Sequence, residues 1–167
     1  MLAPISEQTI TVGLGETCVT KHPSMSLACF GLGSCISLCA YDLVSKVAGM
    51  AHIVLPESNH SSQGKPSAKY ADIAVPLLLE EMCKQGAVKS RVVVKLVGGA
   101  QMIQAAGFDA ALEMGVRNLE VTRRTLASEG IHPSAADTGS SQGRSVWLSA
   151  ESGKVMVRTA GMELREL

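Results

Sequence analysis

The hydrophobic pattern of the chain changes period near residue 69. Before that point, apolar and β-branched residues gather in short runs at Thr9 to Val12, Ser26 to Phe30, Ile36 to Tyr41 and Val47 to Leu55. Gly, Ser, Pro or Asp separate these runs, which is the punctuation of turns between strands. The polar stretch Pro56 to Ser67, with Ser58, Asn59, Ser61, Ser62, Gly64 and Pro66, predicts an exposed loop able to border a site. From Lys69 to Lys84, Tyr70, Ile73, Ala74, Leu77, Leu78 and Met82 recur at helical spacing, and Gly86 supplies a stop. Pro76 lacks an amide hydrogen and is expected to kink or restart this helix. Arg91 to Val97 reads as a strand leading into a Gly98-Gly99 turn. Asn118 reads as the N-cap of a second helix ending at Ser128, before Gly130. Strands at Ile131 to Ala135, Ser145 to Ser149 and Lys154 to Arg158 complete an α+β domain in which mixed sheets are flanked by helices.

Composition narrows this picture. The 167 residues suit one domain, 1–167, with a core over about residues 9–159. Lys plus Arg and Asp plus Glu both total 15, so no overall basic footprint points to nucleic acid. Met1 to Gly15 carries no Lys or Arg and no hydrophobic h-region, which argues against a secretory signal. No uninterrupted apolar stretch is long enough to insert in a membrane. The cysteines (Cys18, Cys29, Cys35, Cys39, Cys83) are odd in number, which favours free thiols in a reducing cytoplasm over a disulfide framework. Cys35-x-x-x-Cys39 has no second ligand pair, so neither a metal nor another cofactor is expected.

Candidate chemistry concentrates on Cys35 and His52. Packing as small hydrophobes suits Cys39 and Cys83, which stand among apolar neighbours in a strand and a helix. Cys35 follows Gly31-Leu32-Gly33-Ser34, a turn-like setting that exposes sulfur and bares backbone amides. It is either a packing residue or a nucleophile. His52 falls inside an apolar strand, where an unpaired ring would cost about 1 to 3 kcal/mol. Either it is a satisfied core histidine, or it pairs with a thiolate and lowers that thiol's pKa. His22, His60 and His132 lie in polar or Pro-flanked stretches and read as solvated. Asp137-Thr138-Gly139 matches an aspartic-protease string, but a single copy reads as a turn. Gly13-Leu14-Gly15 and Gly64-Lys65 lack the further residues that phosphate-binding loops require.

Read in order, Gly31-Leu32-Gly33-Ser34-Cys35-Ile36, Tyr41-Asp42, Gly49-Met50-Ala51-His52-Ile53-Val54-Leu55-Pro56 and Lys69-Tyr70-Ala71-Asp72 resemble the CheD-type chemoreceptor glutamine deamidases. The likeness continues through Gly98-Gly99-Ala100, Gly115-x-Arg117-Asn118 and Asp137-Thr138-Gly139 to Gly143-Arg144. It implies a cysteine-hydrolase-like layered fold. It also implies a cytoplasmic enzyme that converts selected receptor glutamines to glutamate and binds a CheC-type phosphatase. Carried over residue by residue, the nucleophile falls on Cys35 and the base on His52, with Gly33 and Ser34 in the oxyanion and substrate loop. The family's third member, a threonine, falls on Cys29, beside Phe30. Ser140-Ser141-Gln142 also departs from the family pattern. A thiol is a poorer hydrogen-bonding group than a hydroxyl, so two readings follow. One is an active deamidase; the other is a weakly active or inactive deamidase-like adaptor that binds receptors and the phosphatase.

Overall fold

The computed structural model describes residues 8–58, 67–101 and 113–167. The expected loop at Pro56 to Ser67, with His60, lies largely outside them. Strands β1 (Gln8–Thr11), β2 (Thr17–Thr20), β3 (Met25–Leu32), β4 (Ile36–Asp42) and β5 (Val47–Ile53) precede helix α1 (Ala71–Lys84). There follow β6 (Val93–Gly98), helix α2 (Met114–Ser128), β7 (Ala135–Thr138), β8 (Arg144–Ser149), β9 (Val155–Thr159) and β10 (Leu164–Glu166). One sheet has the order β1-β3-β8-β9-β10 and the other β2-β5-β4-β6-β7. The pairs β1/β3 and β6/β7 are parallel and the remaining neighbours antiparallel, so both sheets are mixed, as expected.

Alternation along the strands stacks three layers. Ile36, Leu38 and Ala40 of β4, with Ala51 and Ile53 of β5, pack on Leu78 and Met82 of α1 and Val121 and Leu126 of α2. The opposite face of the same strands puts Cys39, Tyr41 and Met50 against Leu27, Cys29, Val146 and Leu148 of the other sheet. Every residue of β4 and β5 is buried, because one face meets helices and the other meets a sheet. This double burial explains why both strands read as continuous apolar runs. Helix α1 continues through Pro76 without restarting. Among the described residues, no helix is long and apolar enough to cross a membrane.

Several expectations are corrected. Helix α2 begins at Met114, a full turn before Asn118, which is an interior position and not a cap. Gly115 and Val116 are weak helix formers and hid that first turn. Ile131 to Ser134 is irregular, and the strand occupies Ala135–Thr138, so Asp137 and Thr138 belong to β7 and not to a turn. There Asp137 accepts a 2.9 Å bond from Arg144 Nε and pairs with Arg165. Cys83 is exposed, on the solvent side of α1. Two short strands at the sheet edges, β2 and β10, had no strong apolar pattern to announce them.

Candidate active site

Cys35 sits in the connection between β3 and β4, as its glycines suggested. Just upstream, Cys29 pairs with Val146 and Leu32 with Arg144, so β3 carries one residue more than β8 across this interval. Such a bulge bends its strand, and Gly31 within it has φ 64°. The loop that follows is held by its carbonyls. Ala100 N donates to Gly33 O at 2.7 Å and Gly99 N to Cys35 O at 2.9 Å. A side chain at Gly98, where φ is 116°, would place its Cβ 2.2 Å from Cys35 O, so only glycine permits this approach. Among the described residues, none accepts a hydrogen bond from the amides of Gly33, Ser34 or Cys35. Among the described residues these donors are left open beside a partly exposed thiol.

His52 lies in β5, opposite Ser37 in register, and is buried. Cys35 is two residues before Ser37 and packs in the same inter-sheet cluster as Cys29, Cys39 and Met50. It thus directly precedes β4, the strand whose Ser37 lies opposite His52. The turn between β1 and β2 wraps the histidine. Gly15 N donates to His52 O at 2.9 Å, His52 N donates to Glu16 O at 3.0 Å, and the ring Nδ1 lies 3.0 Å from Val12 O. A carbonyl can only accept, so Nδ1 carries the proton and Nε2 keeps its lone pair as the basic nitrogen.

Cys29 is wholly buried in β3, with Sγ 3.7 Å from Val12 O and 3.5 Å from Met50 Sδ. It therefore stands at the same carbonyl that receives His52. The ring is oriented by that backbone oxygen, which motif reading missed because a carbonyl belongs to every residue type. Burial pushes the Cys29 thiol up to about 12, against an opposing bond from the Ser37 hydroxyl. Cys39 is likewise pushed up to about 12 by burial, with Ser37 again opposing. Burial also raises the Cys35 thiol above its ordinary value.

Loop Gly139 to Gln142 closes the flank. Its shape is held by Arg144, whose NH1 donates to Gly139 O at 2.7 Å and Gln142 O at 3.2 Å. The loop reaches the Gly98-Gly99 turn through Gly139 N to Gly98 O at 3.0 Å. Of the other histidines, His22 and His132 are exposed, as expected. Among the described residues, no group of three or more His, Cys, Asp or Glu side chains forms a metal cluster.

A family model described as CheD chemotactic sensory transduction matches residues 54–159, beginning just after His52. Curated relatives extend the match over nearly the whole chain. The "Probable chemoreceptor glutamine deamidase CheD" of Clostridium novyi is 38% identical, covering 98% of this chain and 100% of that one. The "Chemoreceptor glutamine deamidase CheD" of Thermotoga maritima is 41% identical, covering 93% of this chain and 98% of that protein. A Symbiobacterium thermophilum relative is also 41% identical, over 93% and 95% of the two chains. Among solved structures, the Bacillus licheniformis hypothetical protein YfiH aligns with a TM-score of 0.46 and 15% identity, covering 83% of this chain and 62% of that one. With the family matched over more than half of the chain and relatives near 40% identity over almost all of it, the chain belongs to the CheD family.

Proposed function

We propose that this chain is a chemoreceptor glutamine deamidase, a protein-glutamine amidohydrolase in which Cys35 is the nucleophile and His52 the general base. The observation that supports this most strongly is the His52 ring, held by Val12 O so that Nε2 is the free base on the face shared with Cys35. Nε2 takes the thiol proton as sulfur attacks the side-chain carbonyl carbon of a receptor glutamine. The oxyanion accepts hydrogen bonds from the Cys35 amide and from the Gly33 or Ser34 amide. The imidazolium then protonates the departing nitrogen, ammonia leaves, and a thioester remains. His52 next removes a proton from water, hydroxide attacks the thioester, and Cys35 leaves and regains its proton. The receptor side chain has become glutamate, so a neutral group is now an anion.

The partners in this reading are the cytoplasmic domain of methyl-accepting chemoreceptors and a CheC-type phosphatase, and the compartment is the cytoplasm. The adaptor alternative rested on the missing threonine at position 29. The Val12 carbonyl supports the enzyme reading instead, since the imidazole has an orienting partner without that hydroxyl. Purified protein is incubated with a receptor cytoplasmic fragment while ammonia and fragment mass are followed. The expected result is stoichiometric ammonia release, with each modified glutamine gaining the mass difference between an amide and an acid. Binding of the fragment with no mass change would favour the adaptor.

A further inference from the structure

Asn118 is fully buried in the middle of α2, and both of its amide hydrogens are taken by carbonyls from distant segments. Nδ2 donates to Ser34 O at 2.9 Å and to Val54 O at 2.9 Å. Rotating the amide would set Oδ1 against two carbonyl oxygens, so this orientation is the one both contacts require. Oδ1 is buried and has no partner among the described residues. An apolar residue would avoid that unpaired acceptor, and asparagine is a weak helix former, so helix stability does not explain the choice.

The two carbonyls carry the explanation. Ser34 directly precedes Cys35, and Val54 follows His52 by two positions, so one side chain ties the thiol's loop to the base's strand. The Ser34 carbonyl and the Cys35 N–H also belong to the same peptide plane. No peptide bond among the described residues is cis, and in a trans peptide these two groups point in opposite directions. Asn118 pulls Ser34 O towards α2, which turns the Cys35 N–H away from the helix. Helix α2 is itself seated on this site. A Cβ on Gly115 would lie 2.7 Å from Gly99 O, in the turn whose Gly99 amide holds Cys35 O.

We propose that Asn118 is a positioning residue for the hydrolysis: it aims the Cys35 amide as an oxyanion donor and fixes the Cys35 loop relative to the His52 strand. This rests on the assignment of Cys35 and His52 above. Asn118→Ala and the isosteric Asn118→Asp, which has no N–H to offer, both lower kcat about 10- to 100-fold with KM little changed. Leu126→Ala, a core truncation elsewhere in α2, is the control: it lowers the unfolding midpoint but leaves kcat per folded molecule unchanged. Asn118→Asp with wild-type kcat, or a kcat loss matched by Leu126→Ala at equal folded fraction, overturns the proposal. If neither Asn118 variant folds, nuclear magnetic resonance on the wild-type chain decides. Alkylating Cys35 with iodoacetamide shifts the Asn118 side-chain amide signals, and an unchanged pair of signals overturns the coupling. The spectroscopic arm needs no substrate, so absence of ammonia release by the wild type would sink the deamidase reading separately.

Discussion

The two ends of β4 are built on opposite principles. At its C-terminal end the wholly buried Asp42 carboxylate is saturated: it accepts from Val44 N at 3.0 Å, Val88 N at 2.9 Å, Arg91 Nε at 3.1 Å and Arg91 NH2 at 2.8 Å. The Arg91 bonds, with help from these amides and opposed by burial, hold its carboxyl far below the usual carboxylate range. At the N-terminal end the amides of Gly33, Ser34 and Cys35 have no acceptor among the described residues, and Asn118 keeps a buried oxygen unpaired. One strand thus ends once in a carboxylate saturated with donors and once in amides that no described residue accepts, beside a thiol. Unsatisfied polar groups lower stability wherever they occur, as at the buried Ser45 hydroxyl beside Asp42, whereas donors left open beside a thiol are ones a substrate could complete.

Substitutions at the two ends should separate activity from stability. The largest effect belongs to the open end: His52→Gln slows ammonia release about 10²- to 10⁴-fold. Turnover assays at equal folded fraction measure this. At the closed end, Asp42→Asn lowers unfolding stability by about 1–3 kcal/mol, because charged and backbone donors lose their acceptor, and leaves turnover per folded molecule unchanged. Urea midpoints also test the sign of its pH dependence. A carboxyl depressed by folding stabilises above its unfolded value, about pH 4, and that contribution disappears as pH falls towards the folded value. Wild type and Asp42→Asn therefore converge in stability upon acidification below about pH 4.

A subtler prediction concerns the thiol. Because burial raises Cys35, its alkylation by iodoacetamide climbs about tenfold per pH unit through pH 8, with no plateau near neutrality. A plateau near pH 7 would instead indicate a resting thiolate–imidazolium pair. The smallest effect is at Cys29. Since Val12 O already orients the ring, Cys29→Thr changes kcat by less than about threefold, under 1 kcal/mol in the barrier. A much larger gain would show that the native thiol impairs the site.

Motif and period reading reached different parts of this molecule unequally. Strands β4 and β5, helix α1 and the Cys35 turn were legible because apolar runs, helical spacing and glycines act through local chain preferences. Cys35 and His52 stand out as candidates in the sequence because their side chains have distinctive chemistry. Val12 was not, since its contribution is a carbonyl aimed by a turn between strands. Asn118 looked like a cap because asparagine favours helix starts, and its two carbonyl partners are remote in sequence. Asp137 read as part of a turn until Arg144 and Arg165 were seen around it. Such roles depend on long-range pairing, which local sequence does not encode.

The central claim is that Cys35 carries the substrate acyl group, and trapping that intermediate tests it most directly. The protein is mixed with a receptor cytoplasmic fragment, quenched in acid within the first turnover, digested and mapped by mass spectrometry. The account predicts a hydroxylamine-sensitive thioester joining Cys35 to a receptor glutamine residue that has lost ammonia, absent in Cys35→Ala. Ammonia release by Cys35→Ala at the wild-type rate, or an acyl group on another residue, would contradict it.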